Sequence, residues 1–455
     1  MYKKKDTFGS IKKKSCIFAT LFIINPNNNM KTIITVMSLA FTISVNAQTI
    51  KPYEKTAFEE ISANKFLAGG NLTDYDKIPR PSLTPAPKGY EPYYMSHYGR
   101  HGARWLLGDR DYATPVMTLS AAKKHGKLTP EGEQVLEKLT ALQRQSRGRL
   151  GDLTPVGERE HHGIGKRMVQ NFPELFKTPY LPIDARSTTV IRSIISMVAE
   201  CEELAAANPT AQIHNDASDA LKYYMNPSKE GKQRVNDMKV WPIQTEFTYK
   251  IRQPERLMQV LFNDKDWVYK YIDASGLMGQ LYDLAVNMTS HNDDTYLIDL
   301  FTNEELYDLW KGNNHYWYLA YANAPQTDHV MPFTHKALLK NIIETADTVT
   351  TKQATLRFGH DTIVLPIACL LELGNSNASV DNLDELDTYF RNYEIIPYAG
   401  NVQLIFYRPV KGKQGDILVK ALLNEREVTM PASTDNFPYY KWADLRAYYL
   451  NKLKD

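Results

Sequence analysis

Two stretches decide the fold. Tyr93-Tyr94-Met95-Ser96-His97-Tyr98 runs into Gly99-Arg100-His101-Gly102, and Thr355-Leu356-Arg357-Phe358 runs into Gly359-His360-Asp361. Each begins as an aromatic or branched run of strand character and ends on glycine, which suits a tight turn. After the second, Thr362 to Leu373 reads as an apolar helix stopped by Gly374. In open α/β sheets, sites form beyond the carboxyl ends of strands. Both turns place a histidine there, some 260 residues apart in sequence.

Working outward, Leu128-Thr129-Pro130 and Leu153-Thr154-Pro155 each pair a Thr N-cap with Pro at the first helical position. Pro155 to about Phe172 is therefore helical. Leu181 to Ala185 reads as a short strand, and Ser187 or Thr188 as the cap of a helix reaching about Ala207. Val402–Tyr407 and Ile417–Leu422 are later strands. Residues 208–340 are rich in Trp, Tyr, Asn and Asp, with helical patterns at Asn303–Trp310 and Phe333–Thr345. The expectation is an α/β sheet flanked by helices, formed by residues 48–207 and 341–455, with a helical cap, 208–340, inserted between them.

A chain of 455 residues with 43% hydrophobic and 23% charged residues is globular. Its net charge of +2 hides an asymmetry. Residues 1–47 hold seven Lys and one Asp, a charge of +6, leaving −4 for the remainder. Such a body is poorly suited to general nucleic-acid binding, which requires many neutralised phosphates. The basic segment reads as a leader starting at Met30. Lys31 is its positive head, Thr32–Val45 its apolar run, and Val45-Asn46-Ala47 its cleavage site. Export to the periplasm or medium is the expectation, with no stable membrane span. In the mature chain only Cys201 and Cys369 remain, and both lie in apolar helical stretches. Two buried free thiols is the preferred reading over a disulfide.

Three motifs carry chemistry. In Arg100-His101-Gly102-Ala103-Arg104 two guanidiniums flank an imidazole. Arg binds phosphate bidentately, and neighbouring cations keep the imidazole neutral and nucleophilic. Arg192, in Arg186-Ser187-Thr188-Thr189-Val190-Ile191-Arg192, falls near a helix start, where backbone N–H groups also favour anions. His360 can donate to a phosphoryl oxygen, and Asp361 can protonate a departing alkoxide. Each motif alone fits a bland structural role as well: solvated arginines, a helix-face salt bridge, a helix-capping aspartate.

Taken together, in this order, they resemble the histidine acid phosphatases, the acid phosphatase and phytase branch of the histidine phosphatase superfamily. Gly151-Asp152-Leu153-Thr154-Pro155-Val156-Gly157, followed by His161 or His162 and Gly165, supports the resemblance, as does Leu422-Leu423-Asn424-Glu425 with Val428. The resemblance implies a phosphoglycerate-mutase-like sheet with an inserted cap. It implies phosphate monoester hydrolysis through phosphohistidine at His101, with Asp361 as acid and Arg100, Arg104, Arg192 and His360 as phosphate clamp. It implies no metal and no cofactor. Leu106 stands where the family often has Pro, which bears on pocket shape. His360-Asp361 matches acid phosphatases and bacterial phytases, whereas the inositol polyphosphate branch commonly has His-Ala-Glu. The aromatic-rich Phe301–Tyr321 nonetheless resembles that inositol branch, so both substrate classes stay open.

Two other classes compete. His97, His101, His161, His162 and His360 could serve a metal-dependent hydrolase, although Gly99 breaks helical spacing between the first two. A non-catalytic polyanion-binding protein would need the arginines but neither His101 nor Asp361. The −4 body offers a polyphosphate no global attraction. A local rim would be needed, with Arg110, Lys123, Lys124, Arg147 and Arg149 as candidates, although a solvated helix face is the preferred reading of them.

Overall fold

The computed structural model describes residues 50–227, 229–291 and 296–454, so the leader expected over 1–47 lies outside the described residues. The sheet is built around β1 (Tyr90–Arg100), buried from Pro92 to Arg100. On one side β1 pairs in parallel with β4 (Gln353–Gly359), and on the other it pairs antiparallel with β5 (Asn401–Pro409). Beyond β4 lie β2 (Pro182–Ser187) and then β3 (Gln212–Asp216), both parallel. Beyond β5 lie β6 (Leu418–Leu423) and β7 (Arg426–Val428), both antiparallel, with β8 (Tyr440–Lys441) also on β6. This is the mixed sheet flanked by helices that the sequence suggests. The β6–β7 turn is Asn424-Glu425, both at positive φ (53° and 59°), as a two-residue hairpin of matching twist requires.

Side-chain alternation puts each strand's residues into two layers. Leu404 and Phe406 pack with the Asp361–Leu370 helix; Ile405 and Tyr407 pack on the other face, in the layer of the Pro155–Asn171 and Ile191–Ala207 helices. Cys369 belongs to the first layer and Cys201 to the second, and both are free buried thiols. The expected Thr caps are present: Thr129 and Thr154 accept from the backbone N–H of Gly132 and Gly157. No helix among the described residues is long and apolar enough to cross a membrane.

Four local expectations are corrected. Within the expected cap, 212–216 is the sheet's edge strand; four polar residues around a lone Ile213, mostly exposed, give no hydrophobic alternation to read. The Asp109–Lys124 and Pro130–Ser146 helices share a core with residues 257–310, so their apolar faces look toward the helical insertion. The helix after Asp361 ends at Leu370, and Glu372 takes the left-handed conformation before Gly374 is reached. Finally, neither Ser187 nor Thr188 caps the Ile191–Ala207 helix. The helix begins at Ile191, so Val190 occupies that position without a side-chain cap, two residues beyond Thr188, whose hydroxyl lies 3.3 Å from His360 Nε2.

Strand register sets the site. Arg100 pairs with Gly359, and Ser187 pairs with Phe358. The carboxyl ends of three adjacent parallel strands are therefore level, and each delivers one motif to the same edge.

Candidate active site

His101 follows β1 directly. Its N–H donates to the Gly359 carbonyl at 2.9 Å, tying it to the β4 end. The ring is 2% exposed, and Nδ1 lies 2.8 Å from the Gly102 carbonyl. A carbonyl only accepts, so Nδ1 carries the hydrogen and Nε2 the lone pair. Burial first, then the charges of Arg100, Arg192, His360 and Arg104, hold this imidazole well below its ordinary value of 6.5. It is neutral, with one nitrogen free to attack.

The loop behind it is fixed by backbone contact. A Cβ on Gly102 would lie 2.3 Å from the Gly157 carbonyl oxygen, and one on Gly157 would lie 2.3 Å from the Ala103 oxygen. Both glycines thus serve a close approach rather than a turn, and neither has positive φ. The Ala103 N–H donates to Glu160 at 2.7 Å, the Gly102 N–H to the Ser196 hydroxyl at 3.1 Å, and the Thr154 N–H to the Ala103 carbonyl at 2.9 Å.

Arg104, Arg192, His360 and Asp361 line one cavity of about 550 Å³ together with His101. Arg192 stands at the uncapped helix start, and burial, then Arg104, pushes it down to about 10. His360 Nε2 lies 3.3 Å from the Thr188 hydroxyl, and its ring stands edge-on to His101 at 5.6 Å. Burial and the arginines hold His360 below its ordinary value. Arg100 is placed differently. It is fully buried beneath the cavity, with Nη1 on the Asn71 and Ile396 carbonyls and Nη2 2.8 Å from Asp361 Oδ2. Its Nε, like those of Arg104 and Arg192, has no acceptor. Three guanidiniums face a single carboxylate, so the site is electropositive and suits an anion.

Asp361 opens the helix after β4. Its Oδ2 accepts from Asn71 Nδ2 (3.1 Å) and forms an ion pair with Arg100, and its Oδ1 accepts from the Thr362 N–H (2.9 Å). Burial alone would raise the carboxyl. Arg100, Arg104 and the Asn71 amide outweigh it and hold Asp361 below its usual range.

Sequence reasoning missed Asn71, Thr188 and Glu160 as parts of this site. Asn71 is the penultimate residue of the Lys65–Leu72 segment, where only the Gly69-Gly70-Asn71 run hinted at special backbone. The other expected histidines turn elsewhere: His161 bonds Glu200 and the Arg100 carbonyl, His97 lies 4.0 Å from Glu200, and His162 bonds Glu203. None of Arg110, Lys123, Lys124, Arg147 and Arg149 lines the cavity, and Lys123 pairs with Glu133.

The family model of the histidine phosphatase superfamily (branch 2) matches residues 99–424. Among solved structures, the Bifidobacterium longum multiple inositol polyphosphate phosphatase in complex with inositol hexasulfate is similar. Its TM-score is 0.67 at 18% identity, over 85% of this chain and 97% of that one. The phytase from D. castellii has a TM-score of 0.63 at 13% identity, over 85% of each chain. At such identities the likeness is one of fold. No curated protein matches the chain significantly. The family match runs from the end of β1 to the β6–β7 turn and takes in His101, Arg104, Arg192, His360 and Asp361, and on that match the chain belongs to branch 2 of the histidine phosphatase superfamily and is a phosphomonoesterase.

Proposed function

We propose that this enzyme hydrolyses phosphate monoesters by transfer of the phosphoryl group to Nε2 of His101, with inositol polyphosphates as the preferred substrates. One observation carries the mechanism: a neutral, buried imidazole with its Nε2 lone pair unengaged stands among guanidiniums in a cavity that also holds Asp361. Arg104, Arg192 and His360 clamp the phosphoryl oxygens, and Arg100 adds its charge from beneath. Nε2 attacks phosphorus as the ester P–O bond breaks. Asp361 gives its proton to the departing alkoxide. Water then attacks the P–N bond, Asp361 takes the water's proton, and inorganic phosphate leaves a neutral His101.

Asp361 is ionised in the unliganded site, so its proton must arrive with substrate. A monoester monoanion carries one, and the dianion left behind raises the carboxyl by like charge. The polyphosphate preference rests on the Lys229–Asp237 helix. Its Gly231, Val235 and Asn236 line the cavity, and Lys229 and Arg234 are exposed on it, with Lys239 just beyond. None of these three cations is itself a lining residue, but on or just beyond the helix that borders the cavity they would supply local attraction where the −4 body provides no general one. The bound inositol hexasulfate of the B. longum enzyme points the same way. The leader pattern supports an exported, periplasmic or secreted enzyme acting on a small soluble ester.

The test is rapid quench with phytate, followed by mass spectrometry of the peptide holding His101. An acid-labile phosphoryl adduct on His101, absent from His101→Ala, is the expected result. Full turnover by His101→Ala would end the proposal.

A further inference from the structure

Four buried or half-buried side chains outside the phosphate clamp form a chain ending on Asp361. The Trp310 indole N–H donates to Asn392 Oδ1 at 3.0 Å. Asn392 Nδ2 donates to Asn313 Oδ1 at 2.6 Å, and Asn313 Nδ2 to Asn71 Oδ1 at 3.3 Å. Asn71 Nδ2 donates to Asp361 Oδ2 at 3.1 Å. Trp310 and Asn392 are fully buried, and Asn71 is 6% exposed.

We propose that Trp310, Asn392, Asn313 and Asn71 are positioning residues, a one-way hydrogen-bond relay that dictates which oxygen of Asp361 carries the proton given to the leaving group. The proposal rests on Asp361 being the acid. Its logic is directional. An indole N–H can only donate, so it fixes the oxygen end of the Asn392 amide. That sends the Asn392 NH₂ to Asn313, the Asn313 NH₂ to Asn71, and the Asn71 NH₂ to Asp361 Oδ2. Arg100 Nη2 lies 2.8 Å from the same atom as an ion pair without hydrogen-bond geometry, so a hydrogen on Oδ2 would meet both the Asn71 donor and a guanidinium charge. The proton therefore sits on Oδ1. Were the Asn71 amide reversed, its oxygen would face Oδ2 and favour a hydrogen there, on the arginine-facing oxygen. The relay excludes that misplacement, and each link polarises the next.

The surrounding backbone is shaped for it. Gly70 has φ +57°, and a Cβ there would lie 2.4 Å from Asn313 Oδ1 and 3.0 Å from both polar atoms of the Asn392 amide. Only glycine lets the chain pass this close. A second bond fixes Asn392 further, since its backbone N–H donates to Asn314 Oδ1 at 2.9 Å.

The test compares Trp310→Phe and Asn313→Ala with the parent enzyme, using an alkyl substrate (glycerol 2-phosphate) and an aryl one (p-nitrophenyl phosphate) across pH. The other groups acting on Asp361 are unchanged in both variants: Arg100, Arg104, Arg192, His360, Tyr98, Tyr316 and Tyr321. Weakening the donors to the carboxylate moves the descending limb for the alkyl ester to higher pH, by about half a unit. The alkyl kcat falls by about threefold, while aryl kcat and both KM values hold. A merely structural role would lower both substrates together and leave the limb in place; that result, or unmoved profiles in both variants, overturns the relay. Asp361→Asn separates this from the reading beneath it. If that variant loses alkyl and aryl turnover equally, the acid assignment itself fails; if it loses alkyl turnover selectively while the relay variants match the parent, the relay alone fails.

Discussion

Gly157→Ala is the sharpest probe of how His101 is held. The new Cβ would meet the Ala103 oxygen at 2.3 Å and the Ala103 nitrogen at 2.6 Å. Ordinary contact begins near 3.4 Å, so the loop and the Pro155–Asn171 helix must part by roughly 1 Å. Neither partner is a flexible side-chain end. Ala103 is pinned through Glu160 and Thr154, and it lies between His101 and Arg104. Overpacking of this kind costs about 1–3 kcal/mol of stability. A displacement of about 1 Å at a reacting group costs about 100-fold in rate. Gly163→Ala, in the same helix, is the control. Its Cβ would meet first the Arg167 guanidinium, at 2.9 Å, a side-chain end held on Glu425 rather than on the His101 loop. Helix propensity favours that change by up to about 1 kcal/mol. Thermal melts and kcat/KM on p-nitrophenyl phosphate read both variants, with rates taken well below the melting temperature. The expectation is a folded Gly157→Ala enzyme about 100-fold slower and a Gly163→Ala enzyme of parental rate. A Gly157→Ala variant within twofold of the parent would refute backbone contact as what aims His101.

Other outcomes follow from the same geometry. Asp361→Asn should slow alkyl phosphates by about 100- to 10,000-fold while aryl phosphates lose about tenfold or less, read as separate kcat values. Arg192→Ala should weaken inhibition by inorganic phosphate about 10- to 100-fold, and Arg192→Lys should restore only part of it, since a lysine lacks the planar fork. Acid should destabilise the fold. Burial depresses His97, His291, His315 and His335 to about 4 from 6.5, so below 6.5 the unfolded chain binds more protons. Stability is then full above pH 6.5 and declines toward pH 4; a melting temperature flat over that span would contradict the buried neutral imidazoles. Reductant should leave the melting temperature unchanged, as Cys201 and Cys369 are free; a clear drop would mean they pair.

The strand ends were legible because β1 and β4 pass through the sheet centre, where all but their first residues are buried and aromatic or branched residues dominate the runs into each glycine. His101, His360 and Asp361 follow those ends directly, so reading the strands located the residues. Arg192 came from family pattern more than from periodicity. Asn71 was illegible for a plain reason: its partner Asp361 lies 290 residues away, and the 3₁₀ segment holding it has no hydrophobic period. Thr188 misled because a threonine before a helix usually caps it, and here a histidine from another strand claims the hydroxyl. The candidate rim cations read rather as a solvated helix face, and helix-face lysines look alike whether they border a cleft or solvent. Only packing shows that the Asp109–Lys124 helix turns toward the insertion core.

The level ends of β1 and β4 carry a consequence for biosynthesis. A ribosome completes β1 more than 250 residues before β4, and β5 comes later still. Until both neighbours dock, His101 has no His360, no Asp361 and no rigid edge beneath it. A partly made or truncated polypeptide is therefore catalytically silent, and hydrolytic capacity switches on in one late event, when distant segments finally pair.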